Sequence, residues 1–414
     1  MARILITTVG TLGDVIPFVR LARVLASRGH RITMALNPAL EQTAREAGLE
    51  TMSCGRPYGP DEVRKNVSLF DPSAPPDVET IRRRFRELQL DRTFHDLVRA
   101  CQNTDLLLSA SLQGVASWVH ERTDIPWINA TIFAAEFPHA DDPPKSTDPY
   151  NIQFQTELYA YRNSIRHAVG LPPVADKDWV EHYWSRRLVL LASSPRFSQP
   201  ILDTRPQVRM TGFWLEEPHL ADPSDVSPDL RSFLREVPAP LVFTLSSQPV
   251  RDPAAVVSTI ALAAAKAGQR LIIQRGWAGL SPDHLPRSVN PKNVLFAGHA
   301  PHSWLFSHAS AVIHHGGIGS TAEALRAGRP QLVTPFGNDQ FFNARRIASL
   351  GVGDTTSLYA QTPDALSQFL EERVLIPTVI RKARGFATQL KKEQGLTTSA
   401  DLIEAELDGH ASRL

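Results

Sequence analysis

AVIHHGGIGSTAEALRAGRPQLVTPFGNDQFFN, residues 311–343, is the stretch from which the rest of the chain is read. A short apolar run, Ala311, Val312 and Ile313, ends in His314 and His315, and the turn Gly316-Gly317-Ile318-Gly319-Ser320 follows. The spacing predicts a helix over 321–327, stopped by Gly328 and Pro330, then a second apolar run over 331–334 with Asn338-Asp339-Gln340 just beyond. This is a strand, glycine turn, helix, strand unit. Backbone N–H groups in such a turn, together with a helix N-terminus, hold a phosphate without a metal. Glycines alone fit an ordinary βαβ connection equally well. Two histidines, a hydroxyl, a carboxylate and an Asp-Gln pair on the same unit favour a phosphate–sugar site.

A chain of 414 residues is long enough for two or three domains with large buried cores. Its hydrophobic (42%) and charged (21%) fractions are those of a globular protein, which excludes a disordered chain. A net charge of +1 gives no reason to expect nucleic acid or an anionic membrane as partner. Two cysteines, Cys54 and Cys101, form no disulfide framework and read as buried thiols in a reducing compartment. The N-terminus opens directly on a strand-like ARILITT, and no apolar run approaches the roughly 18 residues of a membrane span. The expectation is a soluble, cytoplasmic protein.

Residues 3–8 read as a buried strand, followed by the turn Val9-Gly10-Thr11-Leu12-Gly13-Asp14. Pro17 is read at the start of a helix with one apolar face (Phe18, Leu21, Ala22, Val24, Leu25) that ends at Gly29. A strand over 32–36 and a helix over 38–47 follow, the opening of a doubly wound sheet. Residues 55–90 read as irregular, with Arg82-Arg83-Arg84 a solvated helix face. Strand signals return at 105–109 and 126–130, and then the rhythm is lost from 133 to 184. That segment is rich in proline and aromatics, and it reads as a loop-rich insertion walling an apolar ligand pocket, with Phe133, Phe137, Tyr150 and Phe154 as candidate lining.

Further strands are read at 188–192 and 208–211, after which the acidic, proline-containing segment 216–228 has the character of a linker. Beyond it the rhythm restarts with strands at 241–244, 270–274 and 294–297 and a helix at 254–267. The expected architecture is α/β, two Rossmann-like halves facing across a cleft. Residues 1–217 form the first, 218–228 the linker, 229–390 the second and 391–414 a helical tail that docks back across the junction.

The box at 299–353, read with the glycine turn in 4–30, resembles the family 1 nucleotide-sugar glycosyltransferases of the two-domain GT-B type. Within that family it is most similar to the sterol, macrolide and rhamnolipid branch, which pairs a Gly-Thr/Ser-x-Gly-Asp-x-x-Pro-Phe start with a His-His-Gly-Gly-x-Gly box. The resemblance implies that His315, Gly317, Gly319 and Ser320, with Gly13, take the donor diphosphate; the strand exit 244–248 lacks the glycine usual in the family, and Ser246 there reads either as a further phosphate contact or as part of a plain turn. It implies Glu323 on the ribose and Asp339 and Gln340 on the transferred sugar. Diphosphate leaves with growing negative charge, so N–H dipoles and an imidazole aimed there stabilise the transition state. Of the two histidines only one is expected to meet the phosphate, because adjacent residues at a strand end point apart.

Asp14 is the candidate general base by the same resemblance, since an acceptor hydroxyl needs a place for its proton. The competing reading is a helix cap. Asp124, His95, His139 and His167 remain alternatives. The aromatic base-stacking position of plant relatives is missing, leaving Trp277, His299, Ala300 and His302 as candidate base contacts and uracil versus thymine open. Asp176-Lys177-Asp178 formally matches a divalent-metal motif of another glycosyltransferase fold, but it reads as surface charge at a helix start. No metal or cofactor is expected beyond a UDP- or dTDP-sugar co-substrate.

The leading expectation is therefore an inverting transferase acting on a hydroxyl of an apolar acceptor such as a lipid, sterol or polyketide. The chain would be a monomer or homodimer with at most peripheral membrane contact. A sugar-nucleotide epimerase or hydrolase, and a non-catalytic nucleotide-sugar-binding protein, are the alternatives. A nicotinamide or flavin enzyme is more distant, because the first turn lacks a third glycine.

Overall fold

The computed structural model describes residues 1–65, 77–143, 149–216 and 226–411. Among these residues, short runs of branched and aliphatic side chains form thirteen parallel strands, sorted into two sheets. The first holds β1 (Arg3–Thr7), β2 (Arg31–Leu36), β3 (Glu50–Ser53), β4 (Leu106–Ala110), β5 (Trp127–Thr131), β6 (Val189–Leu191) and β7 (Val208–Met210), in the order β3-β2-β1-β4-β5-β6-β7. The second holds β8 (Leu241–Thr244), β9 (Leu271–Gln274), β10 (Val294–Ala297), β11 (Val312–His314), β12 (Gln331–Val333) and β13 (Gly353–Thr355), in the order β10-β9-β8-β11-β12-β13. Each sheet reverses its strand order once, between β1 and β4 and between β8 and β11. A crevice opens beyond the carboxyl ends of the strands at such a point, and ligands bind there. Two parallel-sheet α/β units are what the sequence pattern implied. The 216–228 linker reading falls largely on 217–225, outside the described residues.

Apolar packing runs without a break from the first sheet into the second half. The same cluster joins Ile4, Phe18 and Trp214 to Ile318, Phe342 and Ile347. The last helix, Gly395–Ala411, lies on the helix Leu12–Ser27 and buries Ala400 and Ile403 in that cluster. Trp214 Nε1–H donates to Ser399 Oγ at 2.7 Å, and Arg28 reaches Asp401 and Glu404, each at 2.6 Å.

Three readings of the first half are corrected. The first helix spans Leu12–Ser27, so Pro17 lies inside it rather than at its start. Residues 55–90 are not irregular throughout, since Pro60–Lys65 and Val78–Glu87 are helical; the arginine run sits on the latter, with Arg82 bonded to Glu157 at 2.8 Å. The segment 133–184 is not loop-rich: Pro149–Ala168 is a twenty-residue helix. Its aromatic residues recur at helical spacing, and Phe154 and Tyr161 both pack on Phe85 of the helix Val78–Glu87. Tyr159 stacks on Trp179, and Phe137 on Trp184. Phe137, Trp179 and Trp184 are therefore buried core, and Phe154, Tyr159 and Tyr161 are half-buried against other rings.

Candidate active site

The turn after β1 builds one wall. Gly10 has φ of +124°, and a Cβ there would lie 2.2 Å from Asp14 Oδ2, so the chain can pass the carboxylate only as glycine. The Thr11 N–H donates to Asp14 Oδ2 at 2.7 Å and its hydroxyl donates to the same oxygen at 3.2 Å. The capping reading of Asp14 is thus part of its role, but both bonds end on Oδ2. Burial raises the Asp14 carboxyl to about 6, against the lowering effect of the Thr11 bonds. Beyond β5, the short turn Ala134–Glu136 brings a second carboxylate to the same wall. Glu136 accepts from the Thr131 hydroxyl at 2.5 Å, and burial raises it to about 7.

The opposite wall comes from β11 and the turn after it. The two histidines diverge. His314 is fully buried, and its Nδ1 accepts the Gly316 N–H at 3.1 Å. Its Nε2–H must then donate to Gln331 Oε1, 2.8 Å away, which fixes a neutral tautomer in the core. His315 faces the cavity instead, with Nδ1 buried and unpartnered. Burial, reinforced by His314 and His302, lowers it to about 3, so it is a neutral ring. A Cβ on Gly317 would lie 2.4 Å from His315 Nε2, so the glycine makes room for that ring. The helix Ile318–Arg326 begins directly afterwards, earlier than the spacing predicted, with Gly317 as its cap. The N–H groups of Ile318, Gly319 and Ser320 therefore occupy its first turn, where no intrahelical acceptor exists. Ser320 Oγ lies 3.3 Å from Ser246 Oγ, and Ser246 holds a left-handed φ of +50° where a glycine would relax.

Asp339 precedes the helix Gln340–Leu350 and accepts from Asn343 Nδ2 at 2.8 Å. Burial first, and the charge of Asp14 second, raise it to about 7. Gln340 is largely engaged by its own loop. Its Oε1 accepts the Phe336 and Gly337 N–H groups at 2.8 and 3.3 Å, and Nε2 donates to Gln248 at 3.0 Å, leaving one amide hydrogen.

A cavity of about 750 Å³ joins the walls, lined by Gly13, Asp14, Phe133 and Glu136 on one side and His315, Gly317, Asp339 and Gln340 on the other. Ser247 Oγ donates to Thr11 Oγ1 at 2.8 Å across the junction.

Other candidates fall elsewhere. Glu323 is buried and ion-paired to Arg20 and Arg326 rather than open to the cavity. Trp277 is half-buried against the first core, and its backbone N–H donates to the Ser246 carbonyl at 2.8 Å. His299 is exposed. The Ala300 carbonyl accepts from Gln274 Nε2 at 3.0 Å, and His302 bonds Gln274 Oε1 at 2.8 Å while stacking on Phe306. Of the three proposed pocket aromatics whose side chains are described, only Phe133 lines the cavity. Phe137 is core, Phe154 faces Phe85, and the Tyr150 side chain lies outside the described residues. Gln155, one residue on from Phe154, reaches the cavity instead.

Among the alternative bases, Asp124, His95 and His167 are exposed, and His139 is buried with its ring 4.7 Å from that of Phe342. Glu136 and Gln248 were missed. Glu136 was within reach of inference, because it follows the carboxyl end of β5 much as Asp14 follows that of β1.

Asp176 and Asp178 sit on an exposed turn, and among the described residues no three His, Cys, Asp or Glu gather as a metal site. Burial pushes both thiols, Cys54 and Cys101, up to about 12, so neither is a nucleophile at neutral pH. Among the described residues no helix is long and apolar enough to cross a membrane.

Residues 4–137 match the glycosyltransferase family 28 N-terminal domain, and residues 281–394 match the erythromycin biosynthesis protein CIII-like C-terminal domain. A sterol 3-beta-glucosyltransferase of Aspergillus terreus is 30% identical over 98% of this chain and 30% of its own length. That of Leptosphaeria maculans is 29% identical over 97% of this chain and 28% of its own. The chain thus spans less than a third of the length of these relatives. Among solved structures, CalG4, the calicheamicin glycosyltransferase, has a TM-score of 0.72 at 20% identity, covering 99% of this chain and 98% of its own. The glycosyltransferase VinC, solved in complex with dTDP, has 0.66 at 19% identity, covering 98% and 99%. With glycosyltransferase-related family models matched at both ends and a two-sheet architecture shared along nearly its whole length with solved glycosyltransferases, the chain is a glycosyltransferase of the GT-B fold.

Proposed function

We propose that this chain transfers a sugar from a UDP- or dTDP-sugar to a hydroxyl of an apolar acceptor, with inversion at the anomeric carbon. The single observation that carries the reading is that Asp14 and His315, from opposite sheets, line one cavity together with Asp339. In this reading the first-turn N–H groups of the helix Ile318–Arg326, Ser320 and neutral His315 receive the diphosphate. Charge developing on the leaving oxygen then meets fixed dipoles at no cost of reorganisation. Asp339, with the remaining Gln340 amide hydrogen, holds sugar hydroxyls. Asp14 takes the acceptor proton through Oδ1, since Thr11 holds Oδ2; a carboxyl raised to about 6 is ionised at neutral pH and more basic than an ordinary aspartate.

Glu323 would serve the ribose. The base would lie towards Trp277, Ala300 and His302, with no metal required. The acceptor would enter beside Phe133, Leu112 and Ile132, an apolar wall that suits a sterol or polyketide. The sterol glucosyltransferase relatives and the dTDP complex of a structural neighbour support these classes.

His315→Ala tests the diphosphate site. Calorimetric titration with UDP and dTDP is expected to show an affinity loss of about 10- to 100-fold, the effect of one hydrogen bond to a charged group. Unchanged affinity would remove His315 from the site.

A further inference from the structure

Glu323, the residue placed above at the ribose, is closed off by the other half of the molecule. Arg20, two turns into the first helix, reaches across the junction and sets Nη2 3.1 Å from Glu323 Oε1. Arg326 takes the other carboxylate oxygen. The Glu323 side chain is only 4% exposed, and the cavity reaches His315, Gly317 and Ile318 but stops short of it. A ribose diol and a guanidinium both act as donors to the same lone pairs, so they compete for them.

Two further observations concern where Arg20 can go. Its Nε is buried with no hydrogen-bond partner, and it points at Glu216 Oε2, 3.8 Å away. Glu216 is itself anchored by Arg23 through its carboxylate and by Arg326 through its carbonyl. A short shift carries the guanidinium from Glu323 to Glu216 without leaving its charge unpaired, which would be the costly alternative in a buried setting.

We propose that Arg20 is an inter-domain plug on the ribose subsite, held on Glu323 until a donor arrives and then passed to Glu216. The proposal rests on the donor reading given above. It makes Arg20 a positioning residue that lowers nucleotide affinity, because only the fraction of molecules with Glu323 free is competent to bind. If that fraction is about one tenth, removing the plug tightens binding about tenfold.

The test is calorimetric titration of the whole chain with UDP, dTDP and inorganic diphosphate, in the wild type and in Arg20→Gln, Arg20→Lys and Glu216→Gln. Arg20→Gln is expected to bind UDP and dTDP about 3- to 10-fold more tightly, with no gain for inorganic diphosphate, which meets His315 but not Glu323. Arg20→Lys retains the charge and should stay near the wild type. Glu216→Gln removes the landing partner and should weaken both nucleotides, an arm that stands even if Arg20→Gln does not fold. Weaker or unchanged nucleotide binding in Arg20→Gln, or nucleotide affinity unaltered in Glu216→Gln, overturns the plug. If the wild type binds neither nucleotide, the donor reading itself fails, and the proposal falls with it.

Discussion

Replacing Asp339 by asparagine should make the protein more stable and less active. Burial and the facing charge of Asp14 raise the Asp339 carboxyl from 3.8 to about 7. A carboxyl raised in the folded state contributes stability at low pH that is lost as pH climbs through the folded value. Keeping Asp339 ionised near pH 8 therefore costs the fold about 3 pKa units at ~1.4 kcal/mol each, or about 2–4 kcal/mol once partial solvent access is counted. Asparagine is isosteric, and its Oδ1 can still accept from Asn343 Nδ2, now 2.8 Å from Asp339 Oδ2. Urea unfolding at pH 8 should show a gain of that size. It should shrink to less than half at pH 5, where the native carboxyl is already protonated, and vanish below about 4. Transfer should fall by about 10- to 100-fold, the loss of one charged hydrogen bond to the sugar. A variant no more stable than the wild type, or a gain independent of pH, would refute the electrostatic account of this site.

Three other changes probe separate parts of the structure. With Asp14 raised to about 6 and Asp339 to about 7, kcat/KM should rise with pH through both values and level off only above about 7, falling at least about tenfold per pH unit below 6, a profile read from initial rates in constant-ionic-strength buffers. Gly317→Ala sits at an ordinary backbone angle (φ −58°) but drives a Cβ to 2.4 Å from His315 Nε2; nucleotide affinity should fall at least about tenfold while the urea midpoint holds. Arg166→Met removes the partner of Glu121, 3.0 Å from a guanidinium only 1% exposed. It should cost about 2–4 kcal/mol in unfolding free energy, with nucleotide affinity intact.

The donor side was legible because its chemistry is local. Strand β11, the glycine turn, the helix and Asp339 lie within one run of thirty-odd residues, and adjacent side chains at a strand end point apart, which separated His314 from His315. The helix beginning at Ile318 rather than 321 was missed because Gly319 weakens the helical signal without preventing its first turn. The acceptor side was not legible in the same way. Prolines clustered before residue 149 hid the helix Pro149–Ala168, so rings that pack on Phe85 read as a pocket wall.

Phe137 and Phe133 are four residues apart, yet one stacks in the core on Trp184 and the other lines the cavity; composition cannot separate them. Glu136 went unnoticed because a lone glutamate carries no pattern until the strand order brings β5 beside β4, one strand from β1. The plugged state of Glu323 depends on Arg20, 303 residues away in sequence, a pairing that only the folded chain reveals.

The central claim is that Asp14 and the His315 cradle are two halves of one transferase site. Its most direct test is Asp14→Asn, mixed with a panel of UDP- and dTDP-sugars and sterol or macrolactone acceptors, and followed by mass spectrometry for the glycosylated product. UDP or dTDP affinity is measured alongside by calorimetry. The account predicts product from the wild type, a loss of at least about 100-fold in the variant, and nucleotide affinity unchanged within about twofold. Product formed at the wild-type rate by Asp14→Asn would contradict it.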